Sequence, residues 1–432
     1  MDIAILVVAV LLIGFFCLKN VPTLISGIVC SVILLIYFGM DIYDGLLNTY
    51  MGGFVDFTKT WFLMFFLGAL FGKIMDVTGA ADSLARAVLK LIGEKNISLG
   101  VCIISALFTA VGISVYITLF ICLPIAIKLC RKANLNRAFI IAGYSLGINI
   151  GLALPYGAAT NNILCTGYFG TTASAGGVLA IFVSLVFAVV GMIYITWYER
   201  RLRARGLGYV EADGTAAIAE ISDDDQRSLP HWVLAIIPMI VPVVCLNAFK
   251  MKVEVALFLG IVAAVICQCK WMPRKWEGIR ACFTESIGNT TLTIVNTSAI
   301  VGFGTVIQAT SGYQDAVNAL LGMNGNPYII AIVIINCIAG IAGASSAGLV
   351  LAAPVLQTLM PLTNPAVLHR TVVLASLGLD SLPNAGFLQT ECTLAGVKFK
   401  DVYLPVIFVL TVVLTLARAF LYIGLSYIFG MA

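Results

Sequence analysis

The chain has 432 residues, of which 61% are apolar and 11% charged, and its mean hydropathy is +1.04. A soluble domain carries about 25% charged residues, so this chain has too few polar side chains to coat a water-soluble particle of its size. A cytosolic enzyme, a nucleic-acid binder and a secreted disulfide scaffold are excluded, and the composition specifies an all-α polytopic membrane protein.

A bilayer core about 30 Å thick takes roughly 20 apolar residues as a helix. In chain order, spans are predicted at 2–18, 21–40 and 58–76. The first is not a cleaved signal peptide, because Met1-Asp2 replaces a basic leader and no cleavage site follows. Residues 79–95 are amphipathic and follow a glycine, which suits a connector lying on the membrane surface. The apolar stretch 98–129 is interrupted by Ala110-Val111-Gly112-Ile113-Ser114. A break facing lipid would strand backbone polar groups, so the stretch reads as a re-entrant helical hairpin buried in protein. Spans at 137–166 and 175–198 follow, the first broken by Pro155 and Gly157.

The polar stretch 199–232 is too short and too charged to hold a core and reads as a cytoplasmic linker. Beyond it come spans at 233–248, 253–270 and 290–310, then a second surface connector at 311–322. A second hairpin at 327–360 is interrupted by Gly340-Ile341-Ala342-Gly343-Ala344-Ser345-Ser346-Ala347-Gly348. A broken span at 371–396 carries Pro383 and Gly386, and a last span covers 402–428. With the N-terminus outside, all of the 25 Lys and Arg residues except Lys59, Lys250, Lys252, Arg370 and Arg418 fall on the cytoplasmic side. That bias predicts a bacterial inner (plasma) membrane protein with a cytoplasmic linker and both termini periplasmic. Arg418 is expected to snorkel outward, and His369-Arg370 to anchor or cap the outer start of a span.

The halves 1–198 and 233–432 match at a nearly constant offset. Gly72 pairs with Gly304, Gly112 with Gly343, Ser114 with Ser345, Pro124 with Pro354, Ser145-Leu146-Gly147 with Ser376-Leu377-Gly378, Pro155 with Pro383 and Gly167 with Gly396. Each half holds five spans and one hairpin, an odd number of crossings, so the second enters the membrane upside down. Two inverted repeats of this kind, with broken helices at midplane, are a hallmark of secondary transporters.

The chemistry is expected where the two hairpin tips and two broken spans converge. Restarting helices present free N–H groups and a positive dipole end, which bind anions without a basic side chain. No basic residue lies in the interrupted segments Ser145 to Asn162 and Ser376 to Glu391 or in either hairpin tip, a combination that suits a small carboxylate. The candidate substrate-binding residues are Gly112, Ser114, Asn149, Thr160, Asn161, Asn162, Gly343, Ser345, Ser346, Asn384 and Thr390; the asparagines can both donate and accept and so suit a substrate hydroxyl. Asp380 and Glu391 flank the second break. Ionisable residues inside a membrane are functional suspects, and each is a candidate carrier of a coupled proton. Lys73 and Asp76 read as a local helix pair. The twelve cysteines sit mostly singly in apolar runs and show no metal spacing, so no metal or other cofactor is expected.

Several segments together carry a family resemblance: Gly68-Ala69-Leu70-Phe71-Gly72-Lys73-Ile74-Met75, Thr78-Gly79-Ala80-Ala81, Asn326-Pro327-Tyr328, Ala339 to Gly348, Leu368-His369-Arg370 and Leu379-Asp380-Ser381-Leu382-Pro383. The chain resembles the gluconate:proton symporter (GntP) family, nearest its short 3-hydroxybutyrate-like permease branch. The resemblance implies an ion-transporter-superfamily fold, proton-coupled uptake of sugar acids or hydroxyacids, and a homodimer. It also implies a mobile domain of hairpins and broken helices that moves, elevator-like, against a scaffold. One segment departs from the family: Leu-Pro-His-Asn-Gly is replaced by Leu382-Pro383-Asn384-Ala385-Gly386, without the histidine. The expected function is import of a small organic anion by proton symport with alternating access, and not an enzyme. Sodium coupling, and dependence on a separate solute-binding protein, are the alternatives.

Overall fold

A computed structural model describes residues 2–18, 21–92, 96–210, 228–313, 315, 325–383 and 385–432. Among them the chain is helical and forms no strand. In the first half, α1 covers Asp2–Leu18, α2 Thr23–Tyr37, α3 Ile42–Val77, α4 Ala80–Ile92, α5 Ile97–Ala110, α6 Val115–Lys132, α7 Ala138–Ala153, α8 Thr160–Phe169 and α9 Gly177–Ala204. In the second, α10 covers Trp232–Asn247, α11 Val253–Cys267, α12 Trp276–Ala309, α13 Pro327–Ala342, α14 Ser345–Gln357, α15 Pro365–Ser376, α16 Gly386–Ala395 and α17 Phe399–Ile428. α3, α9 and α17, at 36, 28 and 30 residues, are long and apolar enough to cross a membrane.

Local chemistry fixes the boundaries. α13 and α15 each start with proline in the first turn behind an asparagine cap. Asn326 Oδ1 accepts from the Tyr328 amide at 2.9 Å, and Asn364 Oδ1 from the Ala366 amide at 2.9 Å. α8 stops at Gly170 (φ +62°), and Gly396 (φ +66°) follows α16, both left-handed. Gly167 lies inside α8 against the Trp61 ring. α3 and α12 start earlier than their apolar cores suggest, at Ile42 and Trp276 rather than near 58 and 290, because polar first turns extend both helices. α15 likewise begins at Pro365, which brings His369 and Arg370 inside a helix. α9 runs on through Ala204 into the stretch read as linker; residues 211–227 of that stretch and most of 311–322 lie outside the described residues.

The order of elements recurs. Among the described residues α1–α4 in the first half and α10–α12 in the second precede a helical hairpin (α5–α6, α13–α14), a broken helix (α7–α8, α15–α16) and a closing long helix (α9, α17). Equivalent elements run antiparallel where they touch. Thr305 Oγ1 donates to the Thr49 carbonyl, Thr58 meets Ser298 at 2.8 Å and Lys73 meets Glu285 at 2.6 Å, so residue numbers fall on α12 as they rise on α3. The pairs Ser145–Glu391 and Asn161–Ser376 give the same sense for the two broken helices.

Packing separates two groups. α1, α2, α3, α10, α11 and α12 pack on one another, as do the hairpins, the broken helices, α9 and α17. The groups meet along α12–α14, α3–α6 and α1–α13, and α4 touches both. The closest packing in the second group is α5 against α7. Gly143, Gly147 and Gly151 form a stripe at four-residue spacing that faces Ser98, Cys102 and Ala106 at the same spacing. A Cβ at Gly147 would run into the Cys102 carbonyl and lie 2.8 Å from Ser105 Cβ. Without a hydrophobic force between helices in lipid, such backbone approach is what holds them together. Gly147→Ala is expected to lower stability by about 1–3 kcal/mol, read as a drop in the melting temperature of the detergent-purified protein. Gly52→Ala, where an added Cβ meets nothing within 4 Å, is the control and should not lower it.

Candidate functional site

The first break is built by Pro155. It has no N–H and drives Leu154 to an extended conformation (ψ 129°), which ends α7 at Ala153. Tyr156 then takes φ +69°, a strained value for a residue with a side chain, before α8 restarts at Thr160. The break exposes backbone carbonyls, and buried side chains from both halves satisfy them. Arg370 Nη1 donates to the Ala153 carbonyl at 2.7 Å, Nε to that of Ala175 at 2.9 Å and Nη2 to Asn162 Oδ1 at 2.9 Å. Asn162 Nδ2 donates to the Gly157 and Ala173 carbonyls at 2.9 and 3.0 Å. His369 Nε2 meets Asn162 Oδ1 at 3.1 Å and Nδ1 meets Thr171 Oγ1 at 2.5 Å. Asn162 Oδ1 can only accept, so the His369 proton sits on Nε2 and the Thr171 hydroxyl donates to Nδ1. Asn162, His369 and Arg370 are each 0% exposed. From the first group of helices, Asn247 Nδ2 donates to the Tyr156 carbonyl at 2.8 Å.

The expectation that His369-Arg370 anchors or caps the outer start of a span is corrected: Asn364 caps that helix, and both residues lie inside it and bond groups of the first half. The reading that no basic side chain serves a break is corrected: Arg370 lies on α15 and its guanidinium sits in the first break. Arg418 is corrected as well. It does not snorkel outward; it is 2% exposed, donates through Nη1 to the Asn149 carbonyl at 3.0 Å and lies 4.2 Å from the centre of the Phe187 ring.

The second break spans 377–385 with a single tight turn at Leu379–Ser381. Asn336 of the hairpin stabilises it by accepting from the Leu379 amide at 3.1 Å. The Asp380 carboxylate accepts from Ser381 Oγ at 3.1 Å and lies near Ser345 at the start of α14, where a helix favours negative charge.

The discontinuities are joined to one another. A Cβ at Gly112 (φ +90°) would lie 3.0 Å from the Ala158 carbonyl and one at Gly157 2.5 Å from that of Ala110, so the first hairpin tip rests on the first break. Asn161 Nδ2 reaches Ser376 Oγ at 3.4 Å, linking the two broken helices, and Asp380 joins the second break to the second tip. Of the candidate residues, Ser114 is exposed, and Gly112, Thr160, Gly343 and Ser346 are half-buried around this junction. Asn161, Asn162, Asn149 and Ser345 are buried. Asn149 is taken up by the Ser145 carbonyl and Thr415 Oγ1, and Asn162 by the first break, so both shape the site rather than face its interior. Asn384 and the Thr390 side chain lie outside the described residues. Glu391 is 0% exposed; Ser145 Oγ donates to its Oε1 at 3.1 Å, and its Oε2 has no partner within the protein.

Sequence reasoning missed Ser145, Asn336, Arg370, Thr415 and Arg418 as site-shaping residues. An arginine within an apolar stretch was the available signal for two of them.

A sequence model of the GntP family permeases matches residues 1–249. The chain is 25% identical to the uncharacterized transporter YxjC of Bacillus subtilis, over 96% of this chain and 97% of that one. It is 23% identical to an uncharacterized transporter of Haemophilus influenzae, over 79% and 75%. Among solved structures, the YdaH transporter of Alcanivorax borkumensis matches with a TM-score of 0.62 at 14% identity, covering 89% of this chain and 88% of that one. MtrF of Neisseria gonorrhoeae, described within a class of antimetabolite efflux pumps, matches at 0.57 and 14%, covering 89% and 83%. Both show the transporter fold.

Two substitutions separate scaffolding from contact. Asn336→Ala removes the acceptor of the half-buried Leu379 amide and should cost about 1 kcal/mol, seen as a lowered melting temperature. Ser114 makes no side-chain cap bond to α6, so Ser114→Ala should melt with the wild type.

Proposed function

The chain belongs to the GntP permease family, and from that premise we propose that it imports a small organic anion, a hydroxy-monocarboxylate or sugar acid such as 3-hydroxybutyrate or gluconate, by proton symport. One observation carries the anion: Arg370 and Arg418 are buried beside the breaks and neither has a carboxylate partner among the described residues. The surroundings of the site are positive, and the starts of α6, α8 and α14 add N–H dipoles of the same sign. Ser114, Thr160 and Ser346 are the accessible hydroxyls there.

The two flanking carboxyls differ in a way that divides the work. Asp380 accepts from Ser381 Oγ and lies beside the start of α14, and it is assigned the fixed negative charge. Glu391 accepts one, from Ser145, with its second oxygen unpartnered in apolar surroundings. A carboxyl so placed is kept neutral by the cost of burying its charge, and it is the proposed carrier of the coupled proton. Sodium is the less favoured couple at the first break, because the carbonyls of Ala153, Tyr156, Gly157, Ala173 and Ala175 already accept from protein donors.

The recurring element order with antiparallel partners supports an inverted repeat. The two packing groups support alternating access, in which the hairpins, broken helices, α9 and α17 move as a body against α1–α3 and α10–α12, the latter supplying a homodimer contact.

The test is uptake of labelled gluconate, 3-hydroxybutyrate, lactate and citrate into proteoliposomes of the purified protein alone, under an inward proton or sodium gradient. Concentrative proton-driven uptake of one acid is expected. Glu391→Gln should reduce that accumulation at least tenfold while leaving substrate counterflow intact; Asp380→Asn should lose both. Sodium-driven uptake, or uptake only with an added soluble binding protein, would overturn the proposal.

A further inference from the structure

Arg418 has more donors than the protein uses. Nη1 is taken by the Asn149 carbonyl, but Nε and Nη2 have no partner among the described residues, although the residue is 2% exposed. One turn further along α17, Tyr422 is 0% exposed and its hydroxyl is likewise unpartnered. Two more unpartnered buried hydroxyls lie on the helices packed against α17: Ser184 on α9, on the face that presents Phe187 to Arg418, and Thr371 on α15, next to Arg370.

The charges facing this junction can be named element by element. α15 contributes Arg370, which repels Arg418, and His369, whose nitrogens are engaged by Asn162 and Thr171. α17 contributes Arg418 and Tyr422, and α13 the phenol of Tyr328. α7 and α9 contribute Asn149 and Phe187. None of these is a carboxylate. Two guanidiniums held close in a low-dielectric interior repel strongly, and removing the counter-charge from a buried ion is among the costliest changes a protein meets.

We propose that Arg418 and Tyr422 form a binding site for a small monovalent anion at the junction of α7, α9, α15 and α17. Nε and Nη2 of Arg418 and the Tyr422 hydroxyl would donate to it, and its charge would offset the repulsion between Arg418 and Arg370. A site this deeply buried takes its ligand without a water shell, which favours weakly hydrated monovalent ions over sulfate or phosphate. A halide from the medium and the carboxylate of a transported acid share this chemistry.

The test needs no transport assay, so it can fail while the transport reading stands, and the reverse. The melting temperature of the full-length protein in detergent is measured in sodium bromide, chloride, acetate, 3-hydroxybutyrate and sulfate at equal ionic strength. A saturable rise with bromide and chloride, absent with sulfate, is expected for a resident halide. A rise with acetate and 3-hydroxybutyrate at lower concentration than halide would assign the site to a carboxylate. In either case Tyr422→Phe, which keeps the ring and the fold, should raise the half-saturating concentration at least tenfold, and Arg418→Gln should abolish the rise. Equal melting in every salt, or the same anion dependence in Tyr422→Phe as in the wild type, would overturn the proposal.

Discussion

A guanidinium lodged in a broken helix is the constraint on which the site depends. Proline and glycine interrupt α7 and leave carbonyls with no helical partner, in a setting where water cannot satisfy them. Arg370 spans that gap, bonding the last residue of α7 and the loop before α9, while Asn162 and His369 close the remainder. Because Arg370 belongs to the second half of the chain, the first half does not shape its break alone. The break is thus a device of two halves, and its local charge is positive.

The second break is built from the opposite sign. There Asp380 and Asn336 hold the turn, and the carboxylate sits at the start of α14. One break holds a buried guanidinium and the other a carboxyl group beside the second hairpin tip, and they are linked through Asn161 and Ser376. The glycine stripe of α7 serves the same arrangement, because only backbone-to-backbone approach brings α5 close enough for the first hairpin tip to rest on the break. Packing strength is concentrated within each of the two helix groups, so a relative shift would cross fewer contacts than a rearrangement inside either.

Much of this was legible in the residues. Pro155, Pro383 and the glycines of the hairpin tips announce interruptions because their backbone chemistry is local. Gly112 and Gly343, paired from the sequence, both adopt positive φ at the hairpin tips. What escaped was non-local. Arg370 was placed at a span's edge because the apolar stretch appeared to start after it, whereas Asn364-Pro365 starts the helix earlier. Arg418 was assigned to the surface on the general habit of long basic side chains, and the Asn149 carbonyl and Phe187 ring that hold it are distant in sequence. The asparagines of α7 and α8 looked like ligand contacts because polar groups are costly in lipid. The same cost explains why Asn149 and Asn162 are engaged inside the protein.

The central claim is that Arg370 builds the first break, and a paired measurement on Arg370→Gln and Arg370→Lys tests it most directly. Melting temperature and anion uptake would be compared with the wild type. Three acceptors on separate segments require the forked donors of arginine. Both variants should therefore melt lower and lose uptake, with lysine restoring little despite its charge. An Arg370→Gln protein that melts and transports as the wild type does would contradict the account.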